Sequence, residues 1–417
     1  MTAPVSLVTG VAGFIGSHVA DELLAMGHTV VGLDDLSGGY AHNVPVGVDF
    51  HQGSIADPVL VSRLFEQYRF DYVYHLAAYA AEGLSPFIRR FNYTNNLLGT
   101  ATLVNAAVNV GTVKCFVFTS SMAVYGSNQV PMREDMTPMP EDPYGVAKFA
   151  AEMDVRQAKE MFGMDFVIFR PHNVYGERQN LGDRYRNVIG IFLNKMLEGE
   201  PMTVYGDGLQ TRAFSYITDV APIIAHSVER PEVYGQTVNV GADQPYTILE
   251  MAEAVSRAMG KTPDIVHLEA RKEVKHAWTD HAVLNRYFGD LRQGVTLEEG
   301  LDKMVRWARS AGPFQRSLFE GIEISRGLYS FWQDAIRTPE ADALTAGDDL
   351  RDADVVTLYL SDRGNATLLP LLRESLRPSA RVVSFMWEMP IKPTRTVTLQ
   401  DSGAWIHLFE GVGRRNG

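Results

Sequence analysis

The chain of 417 residues has a single cysteine, Cys115. One cysteine forms no internal disulfide and supplies no thiolate set for a metal, so a disulfide framework and a cysteine–zinc site are both excluded. It stands in the strand-like run Lys114-Cys-Phe-Val-Phe-Thr119, where it reads as a small core residue. Positive charge is also short. Thirty-eight Lys and Arg against 50 Asp and Glu leave a net charge of −12, so a basic footprint for nucleic acid is missing. An anionic substrate is still possible, because a few arginines in a cleft decide that locally. No apolar run approaches the roughly 18 residues of a membrane span. No charged stretch followed by an apolar core opens the chain. The expectation is a cytoplasmic protein that meets neither membrane nor nucleic acid. Clustered His, Asp and Glu at metal-ligand spacing are absent, so no metal is expected. His75, His172 and His276 stand alone, and each suits a structural hydrogen bond at least as well as a site. Short-period repeats and low-complexity tracts are missing too.

The rest of the composition is ordinary, at 46% apolar and 21% charged, and the length allows two or three domains. Strand and helix patterns alternate from the start, which favours a parallel sheet covered on both faces. Strands are predicted at 6–9, 29–33, 49–52, 72–76, 115–120 and 166–169. Helices are predicted at 14–26, 58–68, 91–109 and 143–162. Gly27-His28 and Gly163-Met164 suit helix stops. After Arg170 the alternation breaks, and 173–186 is polar and rich in Gly, Asn, Arg and Tyr, as befits a binding loop. Shorter elements follow at 237–240, 248–259, 265–267 and 297–310. An acidic, turn-rich stretch, Thr338 to Asp349, then precedes a fresh α/β pattern with strands at 355–360, 381–385, 395–399 and 405–409 and a helix at 367–376.

The first chemical signal is Val5-Ser-Leu-Val-Thr-Gly10-Val-Ala-Gly13-Phe-Ile-Gly16. An apolar run stops at a glycine, and an amphipathic helix follows. Gly10 allows the turn, Gly13 lets backbone approach a pyrophosphate over the free N–H groups of the helix start, and Gly16 lets helix pack on strand. The spacing is GxxGxxG rather than GxGxxG, so context matters. The next strand supplies it. Asp34 ends that strand 18 residues after Gly16, close to the ~20 expected of a carboxylate that binds the adenosine ribose. Asp34 with no arginine directly after it favours NAD over NADP, because a carboxylate repels a 2′-phosphate.

The second signal joins Ser120-Ser121, at the end of an apolar strand, to Tyr144 and Lys148, four apart on one helix face. A phenol with a pKa near 10 is a poor base at neutral pH. A neighbouring ammonium and a positive nicotinamide favour the phenolate, and about 3 units of lowering corresponds to roughly 4 kcal/mol. A serine hydroxyl can orient the substrate alcohol. Such a set removes a proton from an alcohol while its carbon gives hydride to NAD.

These pieces, with His75-Leu-Ala-Ala78, Asn95-Asn-Leu-Leu-Gly-Thr100, Ser120-Ser-Met-Ala-Val-Tyr-Gly126, Arg170-Pro-His-Asn-Val-Tyr-Gly176 and Thr211-Arg-Ala-Phe-Ser-Tyr-Ile-Thr-Asp-Val220, resemble the extended short-chain dehydrogenase/reductases, the NAD-dependent sugar-nucleotide epimerases and dehydratases. The likeness covers about residues 3–332 and is closest to the UDP-hexose 4-epimerases. It implies an α/β fold: a Rossmann-like doubly wound parallel sheet in 1–172, joined by segments from 173–240, with a smaller α/β substrate domain in 173–332. A short α/β C-terminal tail, 340–417, resembles the second half of a class I S-adenosylmethionine-dependent methyltransferase, without the glycine loop of the first half. The resemblance implies catalytic roles for Ser121, Tyr144 and Lys148. It implies NAD contacts for Gly10, Gly13, Phe14, Ile15, Gly16, Asp34, Ser54, Ile55, Ala77, Asn95, Tyr144 and Lys148. A nucleotide-diphosphate sugar would be met by Asn173 and Asn187, and its pyrophosphate by Arg212 and Arg271, whose planar forks suit paired oxygens. A homodimer is implied through the helices near 91–109 and 143–162.

Three positions depart from the family pattern. Gly53-Ser54-Ile55 replaces the usual Gly-Asp-hydrophobic, whose aspartate holds the adenine amino group. Ala213 follows Arg212 where an aspartate is common. Met122-Ala123 stands where 4,6-dehydratases carry Asp-Glu. An acid and a base are needed to eliminate water, so simple 4-epimerisation through a 4-keto sugar is expected. The alternatives are decarboxylation, dehydration or reduction on the same scaffold, and a non-catalytic NAD-binding protein, against which the intact Ser/Tyr/Lys set argues.

Overall fold

The computed structural model describes residues 3–316, 319 and 321–332, four strands beyond them, and residue 372. Two compact units divide the chain, Met1–Arg326 and Gly327–Gly417.

The first unit is built on seven strands: β1 (Val5–Thr9), β2 (Thr29–Asp34), β3 (Asp49–Gln52), β4 (Tyr72–His75), β5 (Cys115–Thr119), β6 (Phe166–Pro171) and β7 (Thr237–Val240). They pair in the order β7-β6-β5-β4-β1-β2-β3, all parallel. The strands are apolar on both sides because both faces are covered. Val8, Tyr74, Val117 and Phe169 face one core. Their neighbours Leu7, Val73, Phe116, Phe118 and Ile168 face the other. The chain steps outward from β1 to β2 and β3, then returns to the other side of β1 as β4. A crevice at the carboxyl ends of β1 and β4 is the place where such sheets bind ligands.

Helix α1 (Phe14–Ala25) follows β1, α2 (Pro58–Tyr68) follows β3, α3 (Gly99–Val110) precedes β5 and α4 (Pro143–Phe162) precedes β6. Local signals set the ends of α4. Asp142 accepts from the N–H groups of Tyr144 at 2.8 Å and Gly145 at 3.0 Å, and Pro143 fills the first turn, where its missing N–H costs nothing. Gly163 closes α4 in the left-handed conformation. Tyr144 and Lys148 therefore lie in its first two turns.

One predicted helix differs. Residues 91–109 are not continuous α-helix: a helical turn, Arg89–Tyr93, leads into a π-helical stretch, Thr94–Leu98, before α3 begins. Side-chain bonding explains the wide turn. Asn96 is buried, accepting from the N–H of Tyr79 at 2.8 Å and donating to the Tyr79 carbonyl at 3.0 Å and to Asn92 Oδ1 at 2.8 Å. Stretches of this kind recur at functional sites.

The remainder of the unit holds paired short strands and helices. Thr211–Ala213 lies between Pro245–Thr247, antiparallel, and His276–Ala277, parallel. Met202–Tyr205 pairs with Ile265–Leu268, and Val174–Tyr175 with Ser215–Tyr216. Helices α5 (Val188–Glu198), α6 (Ile248–Ala258) and α7 (Leu297–Ala311) pack beside them. Thr247 with Glu250, and Thr296 with Glu299, make reciprocal capping boxes on α6 and α7.

The second unit contains a four-stranded sheet. Val355–Leu358 pairs parallel with Arg381–Phe385, which pairs antiparallel with Trp405–Glu410, which in turn pairs with Arg395–Thr398. Apart from Leu372, the helix predicted at 367–376 lies outside the described residues. Among the described residues no helix is long and apolar enough to cross a membrane, and no group of three His, Cys, Asp or Glu could hold a metal. Cys115 is buried in β5, and burial raises its thiol pKa.

Candidate active site

Gly10 turns the chain at the end of β1 with φ +73°, its N–H bonded to the Leu33 carbonyl at 2.9 Å. A Cβ there would lie 2.8 Å from the backbone nitrogen of Ala77, so the loops after β1 and β4 meet over glycine. A Cβ on Gly16 would lie 2.0 Å from the Gly10 carbonyl oxygen, which fixes the contact between α1 and the turn. Gly13 differs: an added Cβ would meet only the Gly10 carbonyl, at 3.1 Å to its oxygen, and no side chain caps α1. The helix start is thus bare and open, as an anion held by backbone N–H groups requires. Phe14 and Ile15 begin α1 half-buried, with Phe14 edge-on to His18 at 5.8 Å.

Asp34 is buried, and its two oxygens accept separately from the N–H groups of Ala12 at 3.0 Å and Leu36 at 2.8 Å. Burial raises its pKa and those hydrogen bonds oppose the rise. Each oxygen keeps a lone pair, so the carboxylate can brace the glycine turn and still accept ribose hydroxyls. Ala77 donates to Thr9 Oγ1 at 3.2 Å, and Thr9 joins His75 Nδ1 at 2.8 Å, whose Nε2 meets Thr100 Oγ1 at 2.9 Å. His75 is therefore a structural tie between β1, β4 and α3, and burial holds its pKa well below the ordinary value. Ile55 is buried where a Cβ on Gly99 would touch it, and Ser54 Oγ accepts from Ala56 N–H at 3.2 Å. Asn95 donates to the Phe91 carbonyl at 2.9 Å. It is Asn96 that reaches the loop after β4, a role the paired asparagines did not resolve in sequence.

The catalytic candidates meet at the end of β5. Ser121 opens a 3₁₀ turn, Met122–Tyr125, accepts from Ala123 N–H at 3.1 Å, and lies close enough to Tyr144 to favour its phenolate. Lys148 is buried, donates to the Thr119 carbonyl at 2.9 Å and lies 4.9 Å over the Phe118 ring. Burial pushes its ammonium down to about 7, against the pull of Glu152. Burial likewise raises the Tyr144 phenol above its ordinary value, the Ser121 hydrogen bond opposing, Asp142 and Glu82 adding to the rise, and Arg186 opposing. Sequence spacing expected the ammonium to lower this phenol. In the protein alone, desolvation of a buried hydroxyl outweighs it.

Below this floor lies a buried ion pair. Arg170 grips Glu152 at 2.9 and 2.6 Å, Ser120 donates to the same carboxylate at 2.6 Å, and the guanidinium stacks 4.7 Å over Tyr125. Tyr125 donates to Asn239 on β7 at 2.8 Å. Ser120 was marked in sequence only together with Ser121, and Glu152 and Asn239 were not singled out, because no motif pairs residues so far apart.

The rim is made by the smaller elements. Arg212 donates to Val274 O at 2.6 Å, Thr211 O at 2.9 Å and Lys275 O at 3.2 Å, and meets Glu273 at 3.4 Å. Arg271 meets the same Glu273 oxygen at 3.3 Å and lies 3.9 Å over the Tyr205 ring. The two arginines chosen from sequence therefore converge on one carboxylate. Asn173, at φ +40°, donates to the Ala213 carbonyl at 3.1 Å. Asn187, at φ +69°, precedes α5 without capping it. Arg186, between them, pairs with Asp183 at 2.5 Å and stacks 4.7 Å over Tyr79. Sequence marked its loop, not this residue. His172 and His281 form a buried pair at 3.2 Å, and His276 bonds Thr211 at 2.9 Å.

Comparison with known proteins gives the family and the fold. Residues 6–241 match the NAD dependent epimerase/dehydratase family. A UDP-glucose 4-epimerase of Mycolicibacterium smegmatis is 34% identical over 73% of this chain and 98% of its own. A dTDP-D-glucose 4,6-dehydratase of Mus musculus is 32% identical over 73% of this chain and 88% of its own. The crystal structure of UDP-glucose 4-epimerase from Thermotoga maritima, with UDP-glucose, superimposes with a TM-score of 0.70 at 32% identity, covering 74% of this chain and 99% of that one.

Proposed function

The chain belongs to the NAD-dependent epimerase/dehydratase family, and from that premise we propose that it is a UDP-hexose 4-epimerase working through a 4-keto sugar. The observation that carries this reading is the floor of the cleft. Ser121, Tyr144 and Lys148 are gathered there, while Met122 and Ala123, next to Ser121, offer neither acid nor base for eliminating water. Both a 4-epimerase and a dehydratase stand among relatives of similar identity, so the choice rests on these side chains.

The open start of α1 and the Asp34 carboxylate would hold NAD, which when bound supplies a reversible hydride acceptor at C4 of the sugar. Tyr144 takes the proton of the 4-hydroxyl, and Ser121 orients that hydroxyl. Lys148, fixed on the Thr119 carbonyl, places positive charge beside the phenol and can donate to ribose hydroxyls. The ketone turns within the cleft so that the opposite face of C4 receives the hydride back, and Tyr144 returns its proton to the C4 oxygen. Arg212 and Arg271 hold the diphosphate throughout.

Self-association through α3 and α4 belongs to the same reading. Leu98, Val146, Met153, Met161 and Phe162 are large apolar side chains exposed on or beside these helices. Sedimentation should show a dimer.

The test is to release small molecules from purified protein by denaturation, identify them by mass spectrometry, and screen UDP-, GDP- and dTDP-hexoses by NMR for inversion at C4. Bound NAD and inversion of a UDP-hexose are expected. Loss of water or carbon dioxide from the sugar, or activity in protein free of nicotinamide, would overturn the reading.

A further inference from the structure

We propose that His172 and His281 are positioning residues that share one extra proton, and that this proton holds the rim strand Thr211–Ala213 in place for the substrate. The use of that rim by a nucleotide sugar rests on the reading above; the proton does not.

The two buried rings set four nitrogens in line between a carbonyl and a carboxylate. His172, directly after β6, brings Nδ1 to 3.2 Å from the Ala213 carbonyl, and its Nε2 lies 3.2 Å from Nε2 of His281. His281, at the start of the short helix Ala282–Phe288, turns Nδ1 to a carboxylate oxygen of Asp243 at 2.6 Å. Arg292 donates to the other Asp243 oxygen at 3.0 Å and to the Gly241 carbonyl at 3.3 Å. A Cβ on Gly241 would lie 2.3 Å from His172 Nε2, so the rings are packed against the chain that leaves β7.

Counting hydrogens fixes the charge. A carbonyl and a carboxylate only accept, so Nδ1 of each ring carries a hydrogen. Two bare nitrogens between the rings would set lone pair against lone pair, so that gap needs a hydrogen as well. Three hydrogens on two imidazoles make one of them a cation. The cation is His281, whose Nδ1 faces the anion. Burial, and then His281, hold the His172 ring down to about 3. The His281 hydrogen bond lowers the Asp243 carboxyl to about 2, so the anion persists near neutral pH. Charged groups around the pair are Asp243, Arg292, Asp280 next in sequence, and Glu134, whose carboxylate accepts from Asn239 N–H at 2.8 Å. Three carboxylates and one guanidinium favour a positive charge between them.

The Ala213 carbonyl accepts from His172 Nδ1 and, at 3.1 Å, from Asn173 Nδ2, and Arg212 precedes it in the strand. The shared proton therefore connects Asp243 to two residues of the proposed substrate site. When it leaves, the Thr279 hydroxyl, 3.0 Å from His281 Nε2, donates to that nitrogen instead, and the bond between the rings is lost. Ser215 Oγ still donates to the His172 carbonyl at 3.2 Å, so the rim loosens without unfolding. Substrate binding weakens as pH rises through the loss of this proton.

The first measurement counts hydrogens by NMR of the ring nitrogens, in protein carrying isotope-labelled histidine. At about pH 6, His281 should hold hydrogen on both nitrogens and His172 on Nδ1 only, and base should remove the one between the rings. Two neutral rings at that pH overturn the proposal. The second compares KM of the NAD-loaded enzyme for UDP-glucose between about pH 6 and pH 9 in the natural protein and in Asp243→Asn. An asparagine amide donates to His281 Nδ1, so all three gaps are filled with both rings neutral and the link no longer titrates. KM of the natural protein should rise about 3- to 10-fold as the hydrogen leaves, the worth of one hydrogen bond, while that of Asp243→Asn stays level. The same KM profile in both proteins overturns the positioning role. If UDP-glucose is not turned over, the epimerase reading fails on its own account. The two proteins are then compared without substrate, by amide hydrogen exchange of residues 211–215 at about pH 9. Faster exchange in the natural protein is expected, and equal rates overturn the inference separately.

Discussion

Ser121, Tyr144 and Lys148, the floor of the cleft, come from 28 consecutive residues, whereas Asn173, Arg212, Arg271 and Glu273, its rim, are drawn from a span of 101. The floor is buried and pinned to backbone: Lys148 to the Thr119 carbonyl, Ser121 to Ala123 N–H, α4 to the Asp142 cap. On the rim Arg212 also holds the carbonyls of Thr211, Val274 and Lys275, but its outer contact is shared: it and Arg271 meet on a single oxygen of Glu273. A floor of this kind keeps its geometry whether or not a substrate is present. A shared-anion rim exchanges partners, because a diphosphate can replace Glu273 as the group both guanidiniums face. The expected division of labour is chemistry from the floor and affinity from the rim.

The sharpest way to break that division is Tyr144→Phe. The substitution removes one hydroxyl and keeps the buried ring. The fold and bound NAD should survive, while kcat falls at least about 100-fold, the low end for a general acid–base group. Near-normal turnover would show that the floor does not carry the chemistry. On the rim, Arg212→Ala and Arg271→Ala should act on KM instead, each weakening substrate binding by roughly 10- to 150-fold, the worth of a charge-assisted hydrogen bond. Because both meet the same Glu273 oxygen, the double variant should lose less than the product of the two. Unchanged KM in both single variants would remove them from the site.

The contrast also explains what could be read in the sequence. Floor residues are legible because each is set by a local rule: a strand ending at Ser120-Ser121, Asp142-Pro143 as a cap and first turn, Tyr144 and Lys148 one turn apart. The glycine turn is legible for the same reason, since Gly10 and Gly16 answer to contacts with Ala77 and with each other. Rim and foundation are not local. Glu273 and Arg186 matter by what the fold brings near them, and the Glu152–Arg170 pair joins a helix to a strand 18 residues on. The π-helical stretch at Thr94–Leu98 was hidden too, because Asn96 imposes it through Tyr79, a partner outside the helix.

A smaller effect, in stability rather than rate, sharpens the account of the floor. Burial holds Lys148 near 7, below the ordinary lysine value of 10.5. The unfolded chain therefore binds more protons between those two pH values, so the natural protein gains stability as pH rises through that window. Below about 7 the cost of burying the ammonium is present in full. Lys148→Met removes the titration. In NAD-free protein, the melting temperature of the variant relative to the natural chain should be most favourable near pH 6 and decline toward pH 10. A difference constant across that range would show that Lys148 is solvated on the floor.

The smallest expected change lies at the adenosine end of the cleft, where a residue with a local job stands in a position the family uses for recognition. Ser54 spends its oxygen on its own turn, accepting from Ala56 N–H at 3.2 Å, while Ile55 behind it is buried beside Gly99. Ser54→Asp keeps that turn, because an aspartate side chain accepts from the backbone two residues on in the same way. It adds a second oxygen, which can accept from the adenine amino group as the resemblance implies. The new charge sits near Asp34, which cancels part of the gain. NAD binding to stripped protein should tighten only about 3- to 10-fold, or roughly 0.6–1.4 kcal/mol, less than a full charge-assisted bond. Calorimetry with NAD and with its hypoxanthine analogue, which lacks the exocyclic amine, separates the contact from a general effect. The gain should appear with NAD and vanish with the analogue; equal gains for both would mean that residue 54 acts through the turn alone.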